Sequence, residues 1–427
     1  MLHPRLRVLF SSFDQLNVGW CLLRVPQNLA APTGDIDLLI DRADVDRVRH
    51  VLDEQGFIML PGWTTAPNIL ALAYDAPTDQ WLHLDIVTEL AFGPHSALQT
   101  SAEAGCLAHR QRSDSIVTLT PDDAFWALLL HCLLDKHQFA PHYQRQLHQL
   151  AGNANIDGPL AKIVASVCPA DWSPERMLQA VQHGEWGSLQ DLGSPLHTNW
   201  RRHHPSRWLR SKLRYAWHVL QRVPTYPQRR GLSIALLGIN GAGKSTLAQG
   251  LRRSFGLPTR TMYMGLWQSG GNDGATGEVN WIEVLCRPFR VWSRYLTAQY
   301  HQALGRLVIF DRYTYDAWQP PRPPLLWLKR PYFWLLAHLC PPPDLVLLLD
   351  VAGDLSFARK GEYSPEELEA DRHAFLLLRQ RITKIYVVDA TRSKDAVRIE
   401  ALNYIWQHYV ARWGHAVRHS EEYAAHS

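Results

Sequence analysis

Eight consecutive residues, Gly238-Ile-Asn-Gly-Ala-Gly-Lys-Ser245, restrict this chain more than any other stretch of its 427 residues. They follow an apolar run, Ser233–Leu237, and precede a helix-forming one, Thr246–Leu251. The pattern G-x-x-x-x-G-K-[ST] between a strand and a helix describes a cradle for a polyphosphate. Glycines at 238, 241 and 243 let the backbone curl until successive N–H groups face one point, and the following helix adds the positive end of its dipole. Lys244 can reach the outer phosphates of a nucleotide, and the Ser245 hydroxyl can ligate a divalent cation. Gly238, Asn240, Gly241, Ala242, Gly243, Lys244, Ser245 and Thr246 are therefore the expected nucleotide-binding residues.

From Gly231 onward, strands and helices alternate. The expected strands are Ser233–Leu237, Arg260–Met264, Arg306–Asp311, Asp344–Asp350 and Lys384–Asp389. The expected helices are Lys244–Phe255, Trp281–Leu304, Leu325–Leu339, Ser364–Arg381 and Lys394–Trp413. Such alternation specifies a parallel sheet covered on both faces, with ligands at the carboxyl ends of its strands. Asp311 and Arg312 stand at one such end, where Asp311 can lie close to a metal or an acceptor and Arg312 can hold a second phosphate. Downstream, Arg359-Lys-Gly-Glu-Tyr-Ser-Pro-Glu-Glu367 reads as a basic segment with a flexible joint at Gly361 and a capping box from Ser364 to Glu367. That is what a closing lid needs, with Arg359, helped by Lys360 or Arg372, neutralising a transferring phosphoryl group.

These segments, LLGINGAGKSTL, LVIFDRYTYD, PDLVLLLD and RKGEYSPEELEADR in that order, resemble the thymidylate-kinase-like branch of the nucleoside monophosphate kinases over about Gly231 to Trp413. The resemblance implies a P-loop NTPase domain with a five-stranded parallel sheet, ATP with Mg²⁺ as phosphoryl donor, and a small phosphorylated acceptor beside Asp311-Arg312. Lys244, Asp311, Arg312 and Arg359 would be catalytic, with Ser245 and Asp311 near the metal. Where the family carries a compact base-binding segment, this chain has Met264-Gly-Leu-Trp267, a glycine-rich stretch near Gly270–Gly277, and a long helix with Trp281, Arg287, Arg290, Trp292 and Arg294. The acceptor therefore stays open between a nucleoside monophosphate and another metabolite, including a sugar or glycan precursor. An ATP-binding regulator without an acceptor is the reading from another class, and the Asp311-Arg312 pair speaks against it.

The N-terminal half reads as α+β. Ile36–Ile40, Leu70–Tyr74 and Trp81–Val87 are strand candidates, the last two joined through Asp75–Asp79, and Ala43–Gln55 is an amphipathic helix stopped by Gly56. Asp35 and Asp37, two apart on a strand, project from one face, and Asp85 lies on a neighbouring strand. Three carboxylates so placed are a ligand set for two metal ions. The arrangement resembles the polymerase-β-like nucleotidyltransferases over roughly residues 15 to 150, although no Gly-Ser loop precedes the acid pair. The resemblance implies a nucleotidyltransferase-like domain, either active in its own right, which would make nucleotidyl transfer the principal function, or retained as a fold.

Beyond it, Thr120 with Pro121 and Asp123 opens a helical region at capping-box spacing. Asn199–Arg230 reads as a basic linker helix, carrying Arg201, Arg207, Arg210, Lys212 and Arg214 among Trp208, Tyr215 and Trp217. Its composition favours a solvated helix packed by its aromatic side, and leaves room for weak contact with a membrane surface or nucleic acid. The expected organisation is 1–110 nucleotidyltransferase-like, 111–198 helical, 199–230 linker, 231–415 kinase and 416–427 a flexible tail.

Composition narrows the setting. Hydrophobic content of 46% and charged content of 20% exclude long disorder. No Asp or Glu occurs between Asp191 and Asp273, the window that contains the phosphate cradle, so the local field favours an anion. Six scattered cysteines without a CxxC pair argue for a reducing compartment. No signal peptide or transmembrane run is legible, and a cytoplasmic enzyme is the expectation.

Overall fold

The computed structural model describes residues 2–26, 28–60, 68–221, 231–266, 281–318, 326–361 and 363–424. The chain divides into two compact units, Met1–Asp75 with Gln80–Pro224, and Ala76–Asp79 with Thr225–Ser427.

In the first unit the strands are β1 (Trp20–Leu22), β2 (Asp35–Ile40), β3 (Ile58–Met59), β4 (Ile69–Asp75), β5 (Gln80–Val87), β6 (Ala91–Phe92), β7 (Leu98–Gln99), β8 (Gln111–Ser113) and β9 (Ile116–Thr118). Seven of them form a mixed sheet in the order β3-β4-β5-β2-β1-β9-β8, and β6 pairs with β7. The helices are α1 (Pro4–Gln15), α2 (Val45–Glu54), α3 (Glu103–His109), α4 (Pro121–Leu130), α5 (Pro141–Ala151), α6 (Pro159–Val167), α7 (Pro174–His183), α8 (Trp186–His203) and α9 (Pro205–Gln221). Leu6, Leu9, Phe10 and Phe13 repeat at helical spacing and bury one face of α1, where Phe10 stacks on Trp20 at 4.5 Å between centroids. Thr120 caps α4 by accepting the Asp123 N–H at 3.3 Å, and its hydroxyl donates in turn to the buried Asp123 carboxylate at 3.4 Å.

The basic helix α9 is not a free linker. Ser211 is buried and donates to the Ser96 carbonyl, and Arg214 forks onto Glu89 at 2.8 and 3.0 Å. Arg201 and Lys212 both lie over the Trp208 ring. The end of the linker, with Arg222, Arg229 and Arg230, lies outside the described residues.

The second unit holds β10 (Ser233–Leu237), β11 (Thr259–Tyr263), β12 (Leu307–Asp311), β13 (Leu345–Asp350) and β14 (Ile385–Asp389). All four ladders are parallel, in the order β11-β12-β10-β13-β14. Residues of β10, β12 and β13 are buried without alternation, as strands covered on both faces must be, and each such Leu, Ile or Val contributes ~1.5–3 kcal/mol. The helices are α10 (Lys244–Ser254), α11 (Trp281–Ala303), α12 (Leu326–His338), α13 (Gly353–Lys360), α14 (Pro365–Leu377) and α15 (Lys394–Ala424). This is an α/β fold of the P-loop NTPase type. Helix α15 runs through most of the segment expected to be a flexible tail, since nothing after Gly414 breaks a helix. Trp267 and Gly270–Gly277 lie outside the described residues.

The parallel order turns at β10, which has β12 on one side and β13 on the other. The carboxyl end of β10 is thus the switch point at which ligands enter such sheets. Among the described residues no helix is long and apolar enough to cross a membrane.

Candidate functional site

Strand β10 ends at Leu237 and the chain turns at once. Gly238 and Gly241 have φ of +139° and +86°, conformations closed to most side chains. Space forbids side chains there too: a Cβ on Gly241 would lie 2.7 Å from Ser356 O and Oγ, and one on Gly238 2.7 Å from Leu349 O. The buried Ser356 hydroxyl donates to the Asn240 carbonyl and pins the loop from outside. Helix α10 then starts at Lys244, and its first N–H groups have no intrahelical partner.

Lys244 is 6% exposed and donates from Nζ to the carbonyls of Gly238 and Ile239, both at 2.8 Å. Burial holds its pKa below the usual lysine range, Arg312 pushes the same way, and Asp316 and Asp311 oppose them. The ammonium is therefore held on neutral acceptors that an anionic phosphate oxygen outcompetes.

Asp311, at the end of β12, pairs in register with Leu236, one residue before the last residue of β10. Its Oδ2 accepts the Ser245 hydroxyl at 2.8 Å. A hydroxyl and a carboxylate in contact are two hard oxygen donors, which fits Mg²⁺ completing its shell with water and phosphate.

The next residue, Arg312, sits at φ +68°, a left-handed conformation that costs a non-glycine residue about 1–2 kcal/mol. Its Nη2 donates to Asn240 Oδ1 in the loop, and its Nη1 lies 3.8 Å from Asp316 Oδ2. Asp316, in the turn Thr314–Trp318, is 4% exposed. Burial raises its pKa, against the pull of Arg312 and Lys244. Sequence reasoning passed over Asp316. Its spacing of five from Asp311 fits neither strand nor helix, and only the tight turn after β12 brings it back beneath Arg312.

These residues border a cavity of about 980 Å³ lined from Asn240 through Thr246 by the loop and first turn of α10, and by Asp311 and Arg312. Gly238, at the turn itself, is not one of the lining residues. Eight of the lining residues are Lys or Arg and two are Asp, so the cavity is built for an anion. Its far wall was also missed from sequence: the loop Ala390–Lys394, set by Asp389, whose carboxylate accepts both the Thr391 N–H and hydroxyl. The rule that ligands meet every strand's carboxyl end would have found it.

The lid segment is only partly as expected. Gly361 ends α13 at φ +66°, and Ser364 and Glu367 form a reciprocal capping box on α14. Glu362 lies outside the described residues. Arg359 and Lys360 line the cavity, with Arg359 Nη2 donating to the Ala390 carbonyl at 3.1 Å. Arg372 does not join them. Its guanidinium forks onto Asp350 at 2.6 and 3.0 Å and meets Glu369 at 2.8 Å, so it braces α14 against β13.

In the first unit, the parallel register of β2 and β5 places Asp37 opposite Asp85 and Asp35 opposite His83. The three carboxylates do not form a metal-holding group: among the described residues no cluster of three or more His, Cys, Asp or Glu can hold an ion. Positive charge comes instead from Arg24, whose Nη2 lies 2.7 Å from Asp37 Oδ2, while Asn68 donates to Asp85 at 3.0 Å. Asp35 is 65% exposed and 4.0 Å from His83 Nδ1.

Burial, with Asp37 adding to it, raises the Asp85 pKa from 3.8 to about 6. A raised carboxyl pKa means stability is fully present below pH 3.8 and is lost as pH climbs through about 6. Asp85→Asn is therefore expected to be the more stable protein at neutral pH, by no more than about 3 kcal/mol, and to have no such advantage near pH 4. Thermal melts of both proteins across that range measure it; parallel pH profiles would exclude a buried charge at Asp85.

No protein-family model matches the chain, and no curated protein matches it. Among solved structures, it is similar to thymidylate kinase from Candida albicans, at 18% identity over 42% of this chain and 93% of that one, with a TM-score of 0.35. It is also similar to deoxyadenosine kinase from M. mycoides with bound dATP, at 16% identity over 40% of this chain and 97% of that one, with a TM-score of 0.30.

Proposed function

We propose that the second unit is a phosphotransferase that moves the γ-phosphate of ATP onto a small phosphorylated acceptor, a nucleoside monophosphate or a related metabolite. The observation that carries this reading is the contact between Ser245 and Asp311, which ties the phosphate loop of β10 to the neighbouring strand that also presents Arg312. A loop built only to bind nucleotide needs no second cation one residue past that carboxylate.

In this reading the loop N–H groups and Lys244 hold the donor phosphates, and Ser245 and Asp311 would hold Mg²⁺. When bound, Mg²⁺ would supply charge neutralisation for the donor phosphates. Arg312 grips the acceptor phosphate, held at the right angle by Asn240 and Asp316. Arg359 and Lys360 close the cavity wall against Ala390 and add positive charge. The work of these residues is positioning and charge neutralisation, with little covalent chemistry.

The test is a panel of nucleoside monophosphates, sugars and sugar phosphates incubated with γ-labelled and, separately, α-labelled ATP. The expected result is γ-label on one phosphorylated acceptor, with ADP formed and both products lost on chelation of Mg²⁺. Label released only as free phosphate would favour a regulator, and α-label on an acceptor would move the principal activity to the first unit.

A further inference from the structure

The first unit has a hollow of its own, lined by none of Asp35, Asp37 and Asp85. Strands β2 and β5 are parallel neighbours, so Asp41-Arg42 and Thr88-Glu89 leave the sheet side by side at its carboxyl edge. Ligands enter parallel sheets at that edge. Two cavities of about 270 Å³ each open there, and they share Arg42, Thr88 and Glu89. One is cationic. Arg42, Arg49 and Arg214 line it against a single acid, Glu89, an excess of two positive charges. Arg214 of α9 forks onto Glu89 at 2.8 and 3.0 Å, Gln99 Nε2 donates to the same carboxylate at 2.9 Å, and Arg42 Nη1 lies 3.6 Å away. Arg49 meets only the exposed Asp46, at 3.5 Å. The other cavity is rich in acceptors: Asp41, Gln99, Ser101 and Glu103 join Thr88 and Glu89. Asp41 Oδ1 accepts the Ala43 N–H at 2.9 Å and Glu103 Oε1 the Leu90 N–H at 2.7 Å, which fixes both carboxylates and leaves each a second oxygen. Ser101 sits at φ +59°, a left-handed conformation imposed by Thr100, whose N–H and hydroxyl both donate to the Leu90 carbonyl.

We propose that this hollow binds a sugar phosphate or a similar polyol phosphate, with the phosphate among the three arginines and the hydroxyls on the acceptor side. Charge selects the first half of that ligand. An excess of two positive charges matches a phosphate monoester near neutral pH, and guanidinium forks fit its oxygens in pairs. A lone carboxylate would leave one positive charge unmet and the neighbouring cavity empty. The acceptor side selects the second half. Sugar hydroxyls donate, and the free oxygens of Asp41 and Glu103 with the Gln99 carbonyl accept at fixed positions. Other ligand classes fit badly. No aromatic side chain lines either cavity, so a nucleobase finds nothing to stack on. Ile40, Leu107, Val45 and Ile69 are the only large apolar residues in the two linings, too few for an acyl chain. The basic helix α9 thereby has a use beyond packing, since it carries Arg214 to the ligand.

The inference is independent of the phosphotransfer reading and is tested on the full chain without ATP. Glucose 1-phosphate, ribose 5-phosphate and glycerol 3-phosphate are titrated calorimetrically beside glucose, inorganic phosphate and AMP. Hydrogen exchange with and without each probe then locates the site. At least one of the three polyol phosphates is expected to bind ~10-fold or more tightly than glucose, inorganic phosphate or AMP, and to slow exchange in peptides spanning 38–49 and 88–104. Arg49→Glu, a change at an exposed position, should weaken that probe and inorganic phosphate alike by ~10-fold or more. Gln99→Leu should weaken the polyol phosphate and spare inorganic phosphate. Three results would overturn the proposal: no polyol phosphate binding at millimolar concentration, slowed exchange confined to 238–246, or indifference of binding to Arg49→Glu. Inorganic phosphate or AMP binding as tightly as the best polyol phosphate would overturn it too, by removing the recognition of hydroxyls.

Discussion

Replacing Lys244 with alanine is expected to lower ATP turnover by ~10³-fold or more and to leave the fold intact. The first half follows from the loop. Lys244 is the one ammonium inside the curl, and without it the charge that develops on the outer phosphates loses the cation held within the loop itself. The second half follows from the resting contacts. Removing the side chain deletes two hydrogen bonds to carbonyls, each worth about 1 kcal/mol net, but it also removes a buried cation whose lowered pKa records what its desolvation costs. The two changes oppose each other, so the thermal midpoint should move little. Lys244→Arg should rescue poorly, because a planar guanidinium does not fit the space of a compact ammonium. Turnover of labelled ATP alongside a circular-dichroism melt measures both halves. Unchanged turnover in the alanine variant would place ATP elsewhere in the chain.

What was legible in the sequence was whatever local pattern dictates. Continuous apolar runs ending in Gly238, Asp311 and Asp350 could only be buried parallel strands, and their bounds came within a residue or two. The loop followed from its glycines, and the capping box at Ser364 from its spacing. What escaped depends on contacts that sequence distance does not encode. Arg372 reads as a helper of the lid until α14 is laid against β13 and Asp350 captures it. Asp37 reads as a metal ligand until Arg24, thirteen positions earlier, is folded onto it. The basic helix α9 reads as a connector until Glu89 takes Arg214. In each case a charge expected to face solvent or a ligand finds a partner inside the protein, because burying it unpaired would cost several kcal/mol.

The pair Arg312–Asp316 lets that structural role be separated from catalysis. Arg312→Met should lower kcat/KM for the acceptor by ~10²-fold or more, since the phosphate grip is lost. It should also destabilise the protein by about 1–3 kcal/mol, because Asp316, buried beside it, must then hold its charge without the nearest guanidinium or take up a proton. Asp316→Asn alone keeps the shape and removes the buried charge. The fold should tolerate it, while Arg312, without Asp316 to brace it, wanders and raises KM for the acceptor more than it lowers kcat. In the double variant the unpaired charge is gone, so stability should return towards wild type with a coupling of about 1–3 kcal/mol, and activity should stay as low as in Arg312→Met. Denaturant melts and acceptor kinetics on all four proteins read the two axes separately. If the double variant regained activity along with stability, Arg312 would be a counter-ion for Asp316 and nothing more, and the acceptor phosphate would have to be held by another cation of the cavity.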